Sequence, residues 1–197
     1  MKARKYHHGD LKNALLRAGI DILEEEGLPG LSLRAIAAKA GVSHAAPRNH
    51  FDGLNGLLAA IAAEGYRRHK AYMQEGITPE SSRPEQLAAA MHGYVRFARE
   101  NPALFALMFS PVRGTLRDPD LTAAARESYA VLKGIAERID WDKASGPDAA
   151  LRTEMMLWSF VHGYAHLYAS QEAGTARCGG IAPPDVATVI PGFSYID

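Results

Sequence analysis

Apolar positions recur at helical spacing along nearly all of the 197 residues. No stretch keeps a period of two for long, so the pattern predicts an all-α fold. The first helix starts near Gly9-Asp10 and runs through "LKNALLRAGIDILEEEG", where Leu11, Leu15, Ala18 and Ile22 draw one stripe. Gly27 ends it, because glycine tolerates the left-handed backbone that closes a helix. A second helix is legible in "LPGLSLRAIAAKAG". Ser32 is placed to cap it, Leu31 to staple onto Ile36, and Leu33, Ile36, Ala37 and Ala40 to form its inner face. Gly41 stops it, Val42 anchors the turn, and Ser43 is placed to cap a further short helix at once. Two short helices joined by so tight a turn read as a helix-turn-helix.

Downstream, Leu54 to about Met73 reads as a long helix, and "EGITPESSRP", residues 75–84, as the clearest loop. Pro84 to Glu100 forms the next helix. A short one follows, with Asn101 as cap and Pro102 at its first position. Asp118-Pro119 repeats that signal before the stripe Leu121, Ala125, Ser128, Leu132, Ile135 and Ile139. The helix expected from Pro147 to Gln171 carries two apolar seams. One is Leu151, Met155, Trp158, His162 and Ala165; the other is Leu157, Phe160, Tyr164, Leu167 and Tyr168. A helix apolar on two faces must be covered on both. Either it is central to one monomer, or one face meets a second subunit. The pattern favours a homodimer, with Leu151, Met155, Trp158, Tyr164, Leu167 and Tyr168 at its interface. After Ala173 the sequence is loop-rich, with at most a short helix at Asp185 to Ile190. The expected division is a helix-turn-helix domain over residues 1–53 and a second helical domain over 54–197.

Composition changes this picture little: 47% hydrophobic and 22% charged residues are ordinary for a protein with a real core. Charge changes it more. With 22 basic and 22 acidic residues the formal net charge is zero, so affinity for nucleic acid must sit on one face. Lys2, Arg4, Lys5 and Lys12 oppose only Asp10 at the start of the chain, which places a basic arm beside the helix-turn-helix. The single cysteine, Cys178, excludes an internal disulfide framework and suits a reducing compartment. No apolar run approaches the roughly 20 residues that span a bilayer, and no apolar segment follows the basic start as in a secretory signal. The expectation is a cytoplasmic protein without a membrane partner.

The stretch "GVSHAAPRNHF", residues 41–51, holds the candidate chemistry. In a helix-turn-helix the second helix enters the major groove of double-stranded DNA, with its N-terminal residues against base edges. Counted round a short helix from Ser43, His44, Arg48 and Asn49 project outward, whereas Val42, Ala46 and Phe51 turn inward. Arg48 can pair bidentately with guanine and Asn49 with adenine, each giving roughly 1–3 kcal/mol of base discrimination. His44 and His50 are placed as phosphate ligands. Ser43 belongs to the same contact set, and Ser32, Arg34 and the basic arm would grip the flanking backbone. Pro47, near the limit of what a first helical turn tolerates, stiffens the segment.

These residues carry a resemblance. Residues 9–58 resemble the DNA-binding domain of the tetracycline-repressor (TetR) family, through "LLRAGIDILEEEGLPGLSLRAIAAKAGVS", His50-Phe51, and "GLL" at Gly56 to Leu58. The segment "LWSFVHGYAHL", residues 157–167, resembles the C-terminal domain of a subgroup marked by a Trp-His-Gly-like signature. The resemblance implies a homodimeric, ligand-responsive transcriptional regulator, usually a repressor, with the first three helices on an operator and the rest forming a ligand cavity and dimer interface. Arg48 stands where the family usually has tyrosine, and Leu54 where it usually has lysine near the start of the fourth helix.

Tyr94, Phe97, Phe105, Met108, Phe109, Tyr129 and Trp158 concentrate aromatic and sulfur side chains in the second block, with His162 as a polar group among them. Such a set either fills a core or lines a mostly apolar cavity, and the ligand for the latter is small and hydrophobic or aromatic. Two rival readings remain open at this level. A ligand carrier or non-DNA-binding dimer could use the same scaffold. An enzyme could use His162 and His166, whose spacing can hold a metal, but the glutamate of a zinc-protease motif is missing between them. Cys178 has no base nearby in sequence. No cofactor or resident metal is expected, and no catalytic residue stands out.

Overall fold

A computed structural model describes residues 8–141, 146–168, 182–190 and 192–195. The basic arm over residues 2–7 and the glycine-flanked Cys178 lie outside the described residues. In chain order the helices are α1 (His8–Glu26), α2 (Leu33–Lys39), α3 (Gly53–Gln74), α4 (Arg83–Glu100), α5 (Pro102–Met108), α6 (Pro111–Thr115), α7 (Pro119–Ala136), α8 (Ala149–Tyr168) and α9 (Val186–Val189). A two-residue antiparallel pair joins β1 (Ile139–Asp140) to β2 (Ser194–Tyr195), with Ile139 opposite Tyr195. Among the described residues the fold is all-α apart from that bridge. The pairing takes Ile139 out of the helical stripe that spacing assigned to it.

The chain divides into two compact units: Met1–Gly65 with Ala103–Ala123, and Tyr66–Pro102 with Ala124–Asp197. In the first, α1 buries the expected Leu15, Ala18 and Ile22, and adds Ile20 and Leu23. Ser32 caps α2 as its spacing predicts, its hydroxyl accepting from the Ala35 N–H at 3.1 Å. The other end closes as a Schellman motif. The Val42 N–H reaches the Ala37 carbonyl at 3.0 Å and the Gly41 N–H reaches Ala38 at 3.1 Å. Gly41 takes the φ of +67° that this closure demands.

Two local expectations are corrected here. The segment after Gly41 is no α-helix capped by Ser43; it is a single 3₁₀ turn, Ala46–Asn49, entered through Ala45. Pro47 is the cause. In an α-helix its ring would press on the carbonyl of Ser43 and its missing N–H would leave that carbonyl unpaired. Instead the Ser43 carbonyl accepts from Ala46, three residues on. The second correction concerns α5. Asn101 does not cap it: its side-chain amide turns back to the Phe97 carbonyl at the end of α4. The cap is Glu24 of α1, whose two oxygens accept from the N–H groups of Ala103 at 3.1 Å and Leu104 at 2.9 Å. A carboxylate at a helix N-terminus satisfies orphan donors and meets the positive end of the helix dipole.

In the second unit α4 packs on α8 and α9. Glu85 accepts from both the backbone N–H and the hydroxyl of Ser82, at 2.7 Å each, closing the start of α4. Gly93 lets α4 lie against the end of α3: a Cβ there would stand 2.0 Å from the Tyr72 carbonyl oxygen. The inner face of α8 is Thr153, Leu157, Val161 and Ala165, with Glu154 beside them. Asp185 caps α9 through the Ala187 N–H and also meets His92 of α4 at 2.9 Å.

Candidate nucleic-acid interface and aromatic-histidine cluster

Local chemistry decides which side chains of residues 41–51 face outward. The 3₁₀ turn packs against α2. Ala46, Pro47 and Phe51 are buried, Val42 and His50 are half-buried, and Ser43, His44, Arg48 and Asn49 are exposed. Ser32 and Arg34, at the start of α2, are exposed as well. One apolar side thus holds the turn in place while the donors His44, Arg48 and Asn49 stand on the solvent side. The Ser32 hydroxyl accepts a backbone hydrogen bond and still has its own proton to donate. Arg48, within the turn, supplies a cation and five fixed donors, the geometry that suits a phosphate or a guanine edge.

The aromatic set is gathered in two places. Phe105, Met108 and Phe109 belong to the first unit, where Phe105 and Met108 are buried and the Phe105 and Phe109 rings lie 4.9 Å apart. Tyr94, Phe97, Tyr129, Trp158 and His162 belong to the second unit. There Tyr94 and Phe97 are buried, and the rings of Tyr129 and Trp158 meet edge-on at 5.7 Å.

Sequence reasoning missed what lies among them. His69 of α3 is buried, with its Nδ1 2.8 Å from the Ser128 hydroxyl of α7. Its ring meets Tyr94 edge-on at 4.3 Å and Phe97 at 5.1 Å. The Tyr94 hydroxyl stands 2.8 Å from His162 Nδ1, and His162 Nε2 stands 3.0 Å from His166 Nε2. A run of polar groups therefore extends from two buried side chains to the exposed end of His166. Burial holds the His69 imidazole down to about 3, helped by the neighbouring His162. Burial followed by His166 lowers His162 to about 4. Burial raises the Tyr94 phenol, against a hydrogen bond from Trp158. His69, His162 and Tyr94 are all neutral at pH 7. Helical spacing could have found His69, since Tyr66, His69 and Met73 step by three and four along α3.

The outer side of α8 exposes large apolar side chains beside the polar Arg152, Ser159 and His166. Leu151, Met155 and Leu167 are 52%, 43% and 51% exposed, while Trp158, Tyr164 and Tyr168 are half-buried. Beside Leu167, a groove of about 320 Å³ is lined by Phe160, Tyr164, Tyr168, Pro184 and Val189. Among the described residues no helix is long and apolar enough to cross a membrane, and no three His, Cys, Asp or Glu side chains converge as a metal site.

A capped helix, a glycine turn and a second exposed turn, followed by a helical second unit, define a helix-turn-helix regulator. Two family models match the chain: "Bacterial regulatory proteins, tetR family" over residues 15–61, and "Tetracyclin repressor-like, C-terminal domain" over residues 87–178. The chain belongs to the TetR family of transcriptional regulators. It is 31% identical over 97 residues to the uncharacterized HTH-type transcriptional regulator YobS of Bacillus subtilis (strain 168), a match spanning 49% of this chain and 50% of that protein. Among solved structures it is similar to a protein of unknown function from Rhodococcus sp. RHA1, at 32% identity and a TM-score of 0.72, covering 95% of this chain and 94% of that one. A bacterial regulatory protein in the tetR family from Rhodococcus RHA1 shares the fold at 19% identity, with a TM-score of 0.61 and coverage of 86% and 90%.

Proposed function

We propose that the protein is a ligand-responsive repressor that binds a palindromic operator as a homodimer and leaves it on binding a small hydrophobic or aromatic ligand. Residues 1–53 serve the DNA and residues 54–197 serve the ligand and the partner subunit. The observation that carries this reading is the 3₁₀ turn, whose buried Ala46, Pro47 and Phe51 present His44, Arg48 and Asn49 to solvent. Arg48 and Asn49 read bases; Ser32, Arg34, Ser43, His44 and His50 fix register on the phosphates.

The two turns of a dimer must stand about 34–36 Å apart to enter successive major grooves. A ligand weakens binding only through a higher affinity for the conformation with the wrong separation. For that ligand the second unit supplies Tyr94, Phe97, Tyr129, Trp158 and His162, with His69 and Ser128 as polar neighbours. Because His69, His162 and Tyr94 are neutral at pH 7, they suit an uncharged aromatic compound better than a carboxylate or an amine.

The test is a gel shift with DNA flanking the protein's own gene, across a salt series. Specific binding with a steep negative slope in log salt is expected. Arg48→Ala should relax base preference at one position of each half-site, at a cost of about 1–3 kcal/mol, while Arg34→Ala should weaken all sequences alike. A salt-independent or sequence-blind signal would overturn the proposal.

A further inference from the structure

His162 and His166 sit one turn apart on α8, and their Nε2 atoms are 3.0 Å from one another. That distance can be compared with what a shared metal would require. Imidazole nitrogens bind first-row divalent ions at about 2.0–2.1 Å. Two such bonds at a right angle place the nitrogens about 2.9 Å apart, and two at the tetrahedral angle about 3.3 Å apart. The 3.0 Å contact is a hydrogen bond in which one Nε2–H donates to the other Nε2, and it already brings the two nitrogens within the span that a shared ion would bridge.

The surroundings complete the fit. A ligating histidine normally donates its other ring N–H to a fixed acceptor, which sets tautomer and ring orientation. Tyr94 Oη stands 2.8 Å from His162 Nδ1 and can accept that proton. Tyr94 is itself buried, so it fixes the inner histidine. His166 is exposed, so the outer member of the pair is reached from the surface.

We propose that His162 and His166 form a two-histidine clamp for a divalent transition metal that imidazole binds well, Ni(II) or Cu(II). The clamp shares His162 with the proposed ligand set, but nothing in the repressor reading calls for a metal. Since no third His, Cys, Asp or Glu side chain joins the pair among the described residues, the clamp is a modest-affinity site. On binding, the hydrogen bond between the two Nε2 atoms breaks and its proton moves to the other ring nitrogen of the same histidine, so that both Nε2 atoms can ligate.

The experiment is calorimetric titration of the full chain with Ni(II) alone at pH 7.5, for wild type, His166→Ala, His162→Gln and, as control, His92→Ala. His166 is on the surface, so its variant leaves the core untouched. The expected result is one Ni(II) site per chain or one per pair of chains in wild type and His92→Ala. That site should weaken at least tenfold in His166→Ala and His162→Gln. Absence of Ni(II) binding by the wild type, or binding unchanged in His166→Ala, would overturn the proposal while leaving the operator-binding results where they stand.

Discussion

His69 occupies a stripe position where leucine would pack without electrostatic consequence. As the neutral imidazole it shares a hydrogen bond with the Ser128 hydroxyl and makes edge contacts to Tyr94 and Phe97. Its folded value lies near 3 and its unfolded value near 6.5. Above pH 6.5 neither state is protonated there and nothing is lost. Below it the unfolded chain takes up a proton that the folded chain refuses, so stability falls as pH falls toward 3. Between pH 7.5 and 5 the loss from this residue amounts to about 2 kcal/mol. Urea unfolding of wild type and His69→Gln at the two pH values measures it: the pH-dependent drop should shrink by about that amount in the variant, and an unchanged drop would show that other groups cause it. Ser32 makes a second prediction at this scale. Removing its hydroxyl orphans the Ala35 N–H, so Ser32→Ala should cost about 1 kcal/mol, read from the denaturation midpoint.

Elements were legible where their signals are local. The Ser32 cap, the Gly41 closure and the Asp118 start each depend on residues within one turn, and each stands where spacing put it. Pro47 is legible as a stiffener, but its effect also depends on the Ser43 carbonyl four residues before it, which turns the expected α-helix into a 3₁₀ turn. The Glu24 cap of α5 was beyond sequence reasoning, since 79 residues separate it from Ala103. The same holds for Tyr94 with His162, 68 residues apart, where only packing of α4 on α8 creates the pair. That packing yields a prediction. Gly93→Ala would drive a Cβ to 2.0 Å from the Tyr72 carbonyl, a backbone atom that cannot rotate away. The variant should lose about 3 kcal/mol or more, at the upper end of overpacking. Gly163, on the open side of α8, would meet nothing, so Gly163→Ala serves as the control and should be neutral or slightly stabilising.

For the whole molecule the outer face of α8 matters most. Leu151 and Met155 lie on one flank of the exposed side of α8, and Leu167, turned about 160° from Leu151, lies on the other. A 20-residue helix with large apolar side chains exposed on both flanks carries apolar surface of the kind that marks an interface. A stable subunit contact buries about 800 Å² per partner, so this surface needs the groove beside Tyr164, Leu167 and Tyr168 as its continuation. If two copies pair there, charges placed on the two flanks should separate them without disturbing Leu157, Val161 and Ala165 on the inner side. Leu167→Glu, alone and with Leu151→Glu, should therefore shift sedimentation from dimer to monomer while helicity is kept. Each freed monomer would still hold an intact turn at Ala46–Asn49, but it would engage one half-site at a time. Operator affinity should then drop on the order of a hundredfold or more, since the second half-site no longer binds intramolecularly. A double variant that stays dimeric would place the subunit contact on another surface, and one that turns monomeric yet binds the full operator unchanged would remove pairing from the mechanism altogether.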